Sequence, residues 1–393
     1  MARVFSLSGR LKTLFDVLAF SFSLVAMSSS RIVTLSWPEA AAHPPVFPVF
    51  LPFSGCPVRC VFCAQDRQTG CAPRQAADAL AVAGRQLRER AGRAHPAPEL
   101  AFYGGTFTAL PPEDFAACLI FARMARHEGL ICGLRCSTRP DRLATDRLAA
   151  LREAGCACVE LGVQSFADDA LRQSRRGYDG ETARAACAAV RAAGMRVGVQ
   201  LMPGMPGSRP ARFLEDVRLA LELGAACLRF YPCLVLEGTE LAARWRAGGF
   251  RPWPLSMTLD VLAEALALAQ RAGVPVIRMG LAPEAGLTAA VLAGPRHPAL
   301  GARVQARCLW RQVARLLARA RAEGRLGGDA PVRLVLPRRL QGMYRGHAGE
   351  LAPLWARLGV TPARVRFHEG RREVFVERPD VSDDDAAIPH EGF

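Results

Sequence analysis

One run of side chains points directly to chemistry: Cys56-Pro57-Val58-Arg59-Cys60-Val61-Phe62-Cys63, a C-x3-C-x2-C cluster. Three soft thiolates at this spacing suit three irons of a four-iron, four-sulfur (4Fe-4S) cluster. No fourth cysteine follows in the loop, so one iron is left open for a further ligand. Zinc is the competing metal. A structural zinc site wants four closed ligands, usually in two separated pairs, which this loop fits poorly. Cys71 is the candidate for a fourth ligand. The chain has thirteen cysteines, an odd number, and those from Cys118 to Cys308 are scattered. No disulfide framework is expected, and the scattered thiols read as small buried hydrophobes in a reducing compartment.

Further strings carry polar chemistry between apolar runs. Tyr103-Gly104-Gly105-Thr106-Phe107-Thr108-Ala109-Leu110-Pro111 places two glycines where a backbone can approach a ligand without a Cβ clash, or where it simply turns. Glu160-Leu161-Gly162-Val163-Gln164-Ser165 precedes Arg175-Arg176-Gly177-Tyr178. Gln164 and Ser165 offer hydrogen bonds, and Arg176 offers a fork for a carboxylate. Glu160 reads either as a ligand contact or as an interior carboxylate in a structural network, and Arg175 as a solvated helix face. Leu201-Met202-Pro203-Gly204-Met205-Pro206-Gly207 and Tyr231-Pro232 with Glu237-Gly238-Thr239-Glu240-Leu241 complete the set.

Taken together, these strings resemble the radical S-adenosylmethionine (SAM) superfamily, in its Elongator catalytic subunit-like and coproporphyrinogen oxidase-like branch. The resemblance rests on the C-x3-C-x2-C loop with Phe62 before its last cysteine, on Gly104-Gly105-Thr106-Phe107-x-Ala109-Leu110-Pro111, on Glu160 to Ser165, and on Tyr231-Pro232 with Gly238-Thr239-x-Leu241, across Val46 to Leu281. It implies a 4Fe-4S cluster on Cys56, Cys60 and Cys63. It also implies SAM contacts by Phe62, Gly104, Gly105, Thr106, Glu160, Gln164, Ser165, Arg176 and Met202, with Tyr231 beside the substrate or adenine. The implied activity is reductive cleavage of SAM to a 5′-deoxyadenosyl radical, fed by an electron donor such as flavodoxin or ferredoxin. The implied substrate is tRNA. A small molecule such as a tetrapyrrole, and a non-catalytic RNA-binding relative with a structural cluster, are the alternatives. Two departures stand out. Ser137 occupies the place of an acidic residue before Thr138-Arg139-Pro140-Asp141, and the residues after Leu281 show no acetyl-coenzyme-A loop of the Elongator acetyltransferase kind.

Strand-like and helix-like segments alternate from Pro45 onwards. Strands are expected at Val46–Phe53, Leu100–Tyr103, Gly133–Cys136, Cys158–Gly162, Arg196–Met202, Cys227–Pro232 and Pro275–Met279. Helices are expected at Arg74–Ala91, Pro112–Glu128, Thr145–Ala154, Glu181–Ala193, Pro210–Leu223 and Leu255–Ala272, several of them stopped by a glycine. Such alternation makes βαβ units and a parallel sheet. The fold class is α/β, a partial (β/α)6 barrel of the radical SAM type. Residues 45–282 form that barrel, and functional loops fall at the C-terminal ends of its strands. Residues 283–378 read as a small α+β appendage, with helices at Gly301–Glu323 and Ala348–Leu358 and strands at Val332–Leu336, Val365–His368 and Glu373–Glu377. Residues 379–393 read as an acidic mobile tail.

Composition frames these readings. Of 393 residues, 50% are hydrophobic and 22% charged, which excludes disorder as the main state. The net charge of +15 favours an anionic partner. All but one of the 51 basic residues are arginine, and asparagine is absent. GC-rich codons therefore account for part of that charge. Arg3, Arg10 and Lys12 precede an apolar stretch from Leu14 to Met27. It resembles a secretory signal, but Asp16 and the serines interrupt it, and Met27 offers an alternative start. Residues 1–44 are read as a mis-called or poorly ordered leader. The expected setting is cytoplasmic, with no membrane partner.

Overall fold

The computed structural model describes residues 31–39, 44–72, 75–93, 95–281, 285–328, 330–370 and 372–378. Its main sheet is made of seven strands: β2 (Val46–Phe50), β3 (Glu99–Tyr103), β4 (Gly133–Thr138), β5 (Cys156–Gln164), β6 (Arg196–Leu201), β7 (Cys227–Phe230) and β9 (Val276–Met279). They pair in chain order, every pair parallel, with β2 and β9 as free edges. This is an open half-barrel, one strand wider than six, because Val276–Met279 adds to its edge.

Helices α2 (Ala76–Gly92), α3 (Pro112–His127), α4 (Thr145–Glu153), α6 (Gly180–Ala192), α7 (Pro210–Glu222) and α9 (Leu255–Arg271) cover its outer face. The short helices α1 (Gln65–Thr69), α5 (Asp168–Gln173) and α8 (Glu240–Arg246) lie at the C-terminal ends of strands. Outward side chains such as Phe102, Leu134, Val159, Val199, Leu228 and Phe230 form one apolar core with the helices. Burial on both faces is what parallel strands require, and β5 is buried along most of its length. The helices stop as the glycines predict: Gly194, at φ 78°, turns the chain after α6 in a conformation that other residues adopt only with strain.

The remainder departs from expectation in three places. Arg31–Ser36, placed in the leader, forms strand β1. It pairs antiparallel with β13 (Glu373–Glu377) in a sheet of order β1-β13-β11-β12, where β11 is Arg333–Pro337 and β12 is Val365–His368. Ile32 and Val33 are buried there, which explains why the strand closes an otherwise bare edge. Residues 1–30 and the acidic tail 379–393 lie outside the described residues. The expected helix Ala348–Leu358 is broken. Gly346, Ala348 and Gly349 all have positive φ, and a helical turn, α13 (Ala352–Ala356), starts only beyond them. Finally, α11 (Leu300–Ala322) packs along α9 within the barrel's own core, and Arg307 and Arg311 both pair with Asp260 at 3.1 Å. The appendage is thus welded to the barrel by its first long helix. The antiparallel two-stranded sheet of β8 (Val235–Leu236) and β10 (Val291–Ala293), the helix α10 (Ala285–Ala290) and the short α12 (Gln341–Arg345) are the remaining strands and α-helices.

Candidate active site

The concave face of the half-barrel holds a cavity of about 890 Å³ that runs the length of the strands. Its upper end is closed by the loop from β2 to α1, which carries all three motif cysteines. The loop is tightly folded. Phe53 and Gly55 have left-handed backbones, at φ 60° and 71°, and a Cβ on Gly55 would run into the Thr106 carbonyl.

One side chain that no sequence motif marks holds this loop in place. Gln65 Oε1 accepts from the Phe53 amide at 2.6 Å and from the Gly105 amide at 2.7 Å. It joins the cysteine loop to the Gly104-Gly105 turn. Both glycines line the cavity with positive φ, 80° and 59°. A Cβ on Gly105 would strike the Ser54 carbonyl, so only glycine lets the two segments meet. Thr106 is fully buried, and its hydroxyl lies 3.2 Å from Cys56 Sγ.

Cys60 is buried beneath two guanidinium groups: Arg176 Nη1 donates to its Sγ at 3.0 Å and Arg139 Nη1 approaches at 3.8 Å. Arg176 also donates to the Gly162 carbonyl at 2.5 Å and to the Tyr178 hydroxyl. Burial pulls the Arg176 guanidinium down, but Tyr178 and the Cys60 thiol more than reverse this, so its pKa ends raised. Burial pushes the Cys63 thiol up to about 12, and the two other cysteines push it the same way. Cys56 is raised chiefly by burial, against its bond to Thr106. Burial thus disfavours the thiolate forms of Cys56 and Cys63, and a cationic metal would offset that cost. Among the described residues, no three His, Cys, Asp or Glu side chains converge on a single metal ion. A 4Fe-4S cluster, whose ligands each meet a different iron, asks for separate thiols at one end of a cavity, and Cys56, Cys60 and Cys63 all line that end. Cys71 does not line this cavity.

The remaining predicted contacts divide. Phe62, Gln164, Arg176 and Met202 line the cavity, and Phe62 and Met202 belong to one apolar cluster with Cys60. Gln164 is left-handed at φ 68°, and its Oε1 accepts from Gln200 Nε2 at 3.2 Å. Glu160 is committed elsewhere. It accepts from the Tyr103 hydroxyl at 2.8 Å and pairs with Arg135 at 3.1 Å and Arg229 at 2.6 Å. Burial and the neighbouring Glu160 carboxylate raise the Tyr103 phenol, so it stays a donor. Gly198 makes the network possible. It stands on β6 between Glu160 on β5 and Cys227 on β7, and a Cβ there would come within 2.9 Å of Glu160 Cγ.

Ser165 faces away from the cavity. Its hydroxyl donates to Asp216 of α7 at 2.7 Å, and the Phe166 amide donates to the same carboxylate at 3.0 Å. The stretch Gly204–Gly207 lines a separate small cleft, with Gly204 against the Trp253 ring. Arg175 pairs at the surface with Glu240 at 2.5 Å, whereas Ser137 and Tyr231 line the cavity. No alternation or motif marks Gln65, Gly198 or Asp216; their roles exist only once distant segments meet. Among the described residues, no helix is long and apolar enough to cross a membrane.

Residues 50–220 match the model of the Radical SAM superfamily, and residues 225–309 that of the Radical_SAM C-terminal domain, together about two thirds of the chain. A tRNA uridine(34) acetyltransferase of Methanocaldococcus infernus is 33% identical over 131 residues, covering 33% of this chain and 24% of that protein. Elongator complex protein 3 of Drosophila melanogaster is 29% identical over 195 residues, 43% of this chain and 34% of that protein. The chain thus spans about a third or less of these relatives. The solved structure of the archaeal Elp3 of M. infernus shares the fold, with a TM-score of 0.53 and 24% identity over 67% of this chain and 62% of that one. With the cysteine loop, the Gly-Gly turn and strands β3 to β9 of the parallel half-barrel inside the matched spans, the chain belongs to the radical SAM superfamily.

Proposed function

We propose that this chain holds a 4Fe-4S cluster on Cys56, Cys60 and Cys63, binds SAM beside it and modifies RNA, with tRNA as the substrate. The observation that carries the reading is the gathering of three thiols from one loop around the closed end of an 890 Å³ cavity, next to the Gly104-Gly105 turn. When bound, the cluster supplies one electron that breaks a carbon–sulfur bond of SAM and yields a 5′-deoxyadenosyl radical.

The chain's own residues have other tasks. Cys60 is held by Arg176 and Arg139, whose positive charges offset the negative charge of the thiolates. The Gly104-Gly105 backbone comes close to the ligand, and Gln65 fixes that turn relative to the cysteines. Phe62 and Met202 form an apolar wall that excludes water. Gln164, Gln200 and Ser137 offer hydrogen bonds from three strands. A donor of the flavodoxin or ferredoxin kind supplies the electron, in the cytoplasm. The tRNA part of the reading is supported by the names of the relatives and by the +15 charge.

The test is anaerobic reconstitution with iron and sulfide, then SAM and dithionite, with and without bulk tRNA. Formation of 5′-deoxyadenosine, increased by tRNA, is expected. Absence of cleavage under reducing conditions overturns the enzymatic reading; cleavage indifferent to tRNA overturns the choice of substrate.

A further inference from the structure

The charges on the cavity wall are one-sided. Among the described residues, seven arginines line it, and no aspartate or glutamate does. Three of them are backed by carboxylates behind the wall. Arg135 pairs with Glu99 at 2.5 Å, Arg229 with Glu160 at 2.6 Å and Arg139 with Asp141 at 2.9 Å. Arg176 lies on Cys60, and Arg59, whose guanidinium sits 4.0 Å above the Phe53 ring, belongs to the cysteine loop itself. Two remain away from that loop. Arg196, the first residue of β6, touches the Ala157 carbonyl at 3.4 Å, and Arg278 on β9 touches the Gly280 carbonyl at 3.1 Å. Neither has a carboxylate partner among the described residues.

Their separation follows from the strand register. Arg196 stands opposite Cys158, itself opposite Arg135, in a row at the foot of the cavity. Arg278 stands opposite Arg229, itself opposite Gln200, in a higher row. Gln200 is four residues beyond Arg196 on the same strand, so the rows are about 13 Å apart at ~3.3 Å per residue. The two arginines therefore stand in different rows of the wall, each held by a different carbonyl, a layout that suits two separate anionic groups.

We propose that Arg196 and Arg278 are two anion subsites of the substrate cavity, and that the substrate is a dispersed polyanion whose negative groups are spaced along the groove. This rests on the reading of the cavity as a substrate site but not on any particular reaction. A single-stranded RNA segment has this chemistry, and so does a macrocycle bearing several carboxylates. A neutral or singly charged substrate does not.

The experiment measures binding to the full iron-loaded chain without reductant, by fluorescence anisotropy. The probes are a labelled single-stranded hexaribonucleotide and, separately, a porphyrin carrying four propionates. An uncharged nucleoside and a mononucleotide serve as competitors. For a polyanion, log Kd should rise linearly with log salt, and Arg196→Gln and Arg278→Gln should each lower the slope by about one and weaken binding about 3- to 10-fold. Arg85→Gln, on the outer helix α2, should leave the slope unchanged. Binding of either probe with this dependence supports the proposal and identifies its source. Equal competition by the uncharged nucleoside overturns it, as do two variants that bind like the parent, or an effect confined to one of the two arginines. Because 5′-deoxyadenosine formation is not the readout, failure here leaves the proposed SAM chemistry standing, and failure of that chemistry leaves this result interpretable.

Discussion

Two sets among the thirteen cysteines occupy contrasting places, and the contrast shows what turns a thiol into a ligand. Cys118, Cys136, Cys187 and Cys308 sit in the apolar core on strands and helices, fully buried, where they fill space. Burial alone pushes the Cys187 thiol up to about 11 and, with smaller contributions, Cys308 up to about 12. Burial also raises Cys56 and Cys63, but these two and Cys60 sit on a loop bent by two left-handed residues, at the closed end of the cavity, with Arg176 and Arg139 on Cys60. The side-chain chemistry is the same in both places. What differs is the approach of cationic groups and the open space on one side, which is where a cluster enters.

The largest expected effect breaks this contrast at its centre. Cys60→Ala should abolish the visible absorbance and bound iron of the reconstituted chain. Cys308→Ala should load iron normally and only lower stability, by about 1–2 kcal/mol for a small buried group. Iron retained in full by Cys60→Ala would refute the ligand assignment.

Gln65→Leu comes next. It removes the acceptor for two backbone amides in a part-buried loop, each worth about 1–3 kcal/mol when left unsatisfied. Iron loading should become slower and incomplete, and the melting temperature should drop, whereas Gln65→Glu, which keeps an acceptor oxygen, should recover most of the loading. Equal loading by Leu and wild type would show that the loop holds itself.

The cysteine motif, the Gly-Gly turn and the βαβ alternation were all legible in the sequence because each is local. A spacing of three thiols, two adjacent glycines or a run of apolar residues carries its physics within ten positions. Gln65, Gly198 and Asp216 were not legible, since each matters through a segment distant in the chain, as do the Glu160 bonds to Tyr103 and Arg229. Ser165 shows the same limit from the other side: its position beside Gln164 suggested a shared task, but β5 ends at Gln164, whose backbone is left-handed, and the next side chain goes to Asp216. The N-terminal strand β1 was hidden because its partner β13 lies at the far end of the chain.

Gly198→Ala tests the wall opposite the cysteine loop. The new Cβ would meet Glu160 Cγ at 2.9 Å and Cys227 Sγ at 3.0 Å. Glu160 must shift, and the Arg229 pair weakens with it. A loss of about 1–3 kcal/mol is expected from overpacking, with iron content unchanged, since no cluster ligand is touched. A change in iron content would mean that the floor and the cysteine loop are one mechanical unit.

The smallest effect concerns Asp216, where burial outweighs the nearby Arg212, the converse of Cys60 under its arginines. Burial raises its carboxyl to about 6, against the bonds from Ser165 and the Phe166 amide. The folded-state value lies above the unfolded one, so the protonated acid is the form that folding favours. Its contribution is fully present below the unfolded value near 4 and is lost as the pH climbs through about 6, amounting to at most ~3 kcal/mol. Asp216→Asn keeps an acceptor for the Phe166 amide and removes the charge. The variant should therefore melt higher than wild type at pH 8, by about 1 kcal/mol after the altered Ser165 bond is counted, and no higher at pH 4. A variant that is less stable at pH 8 would mean that the ionised carboxylate, through its two hydrogen bonds, outweighs the cost of burying its charge, and that the joint between β5 and α7 is held by charge after all.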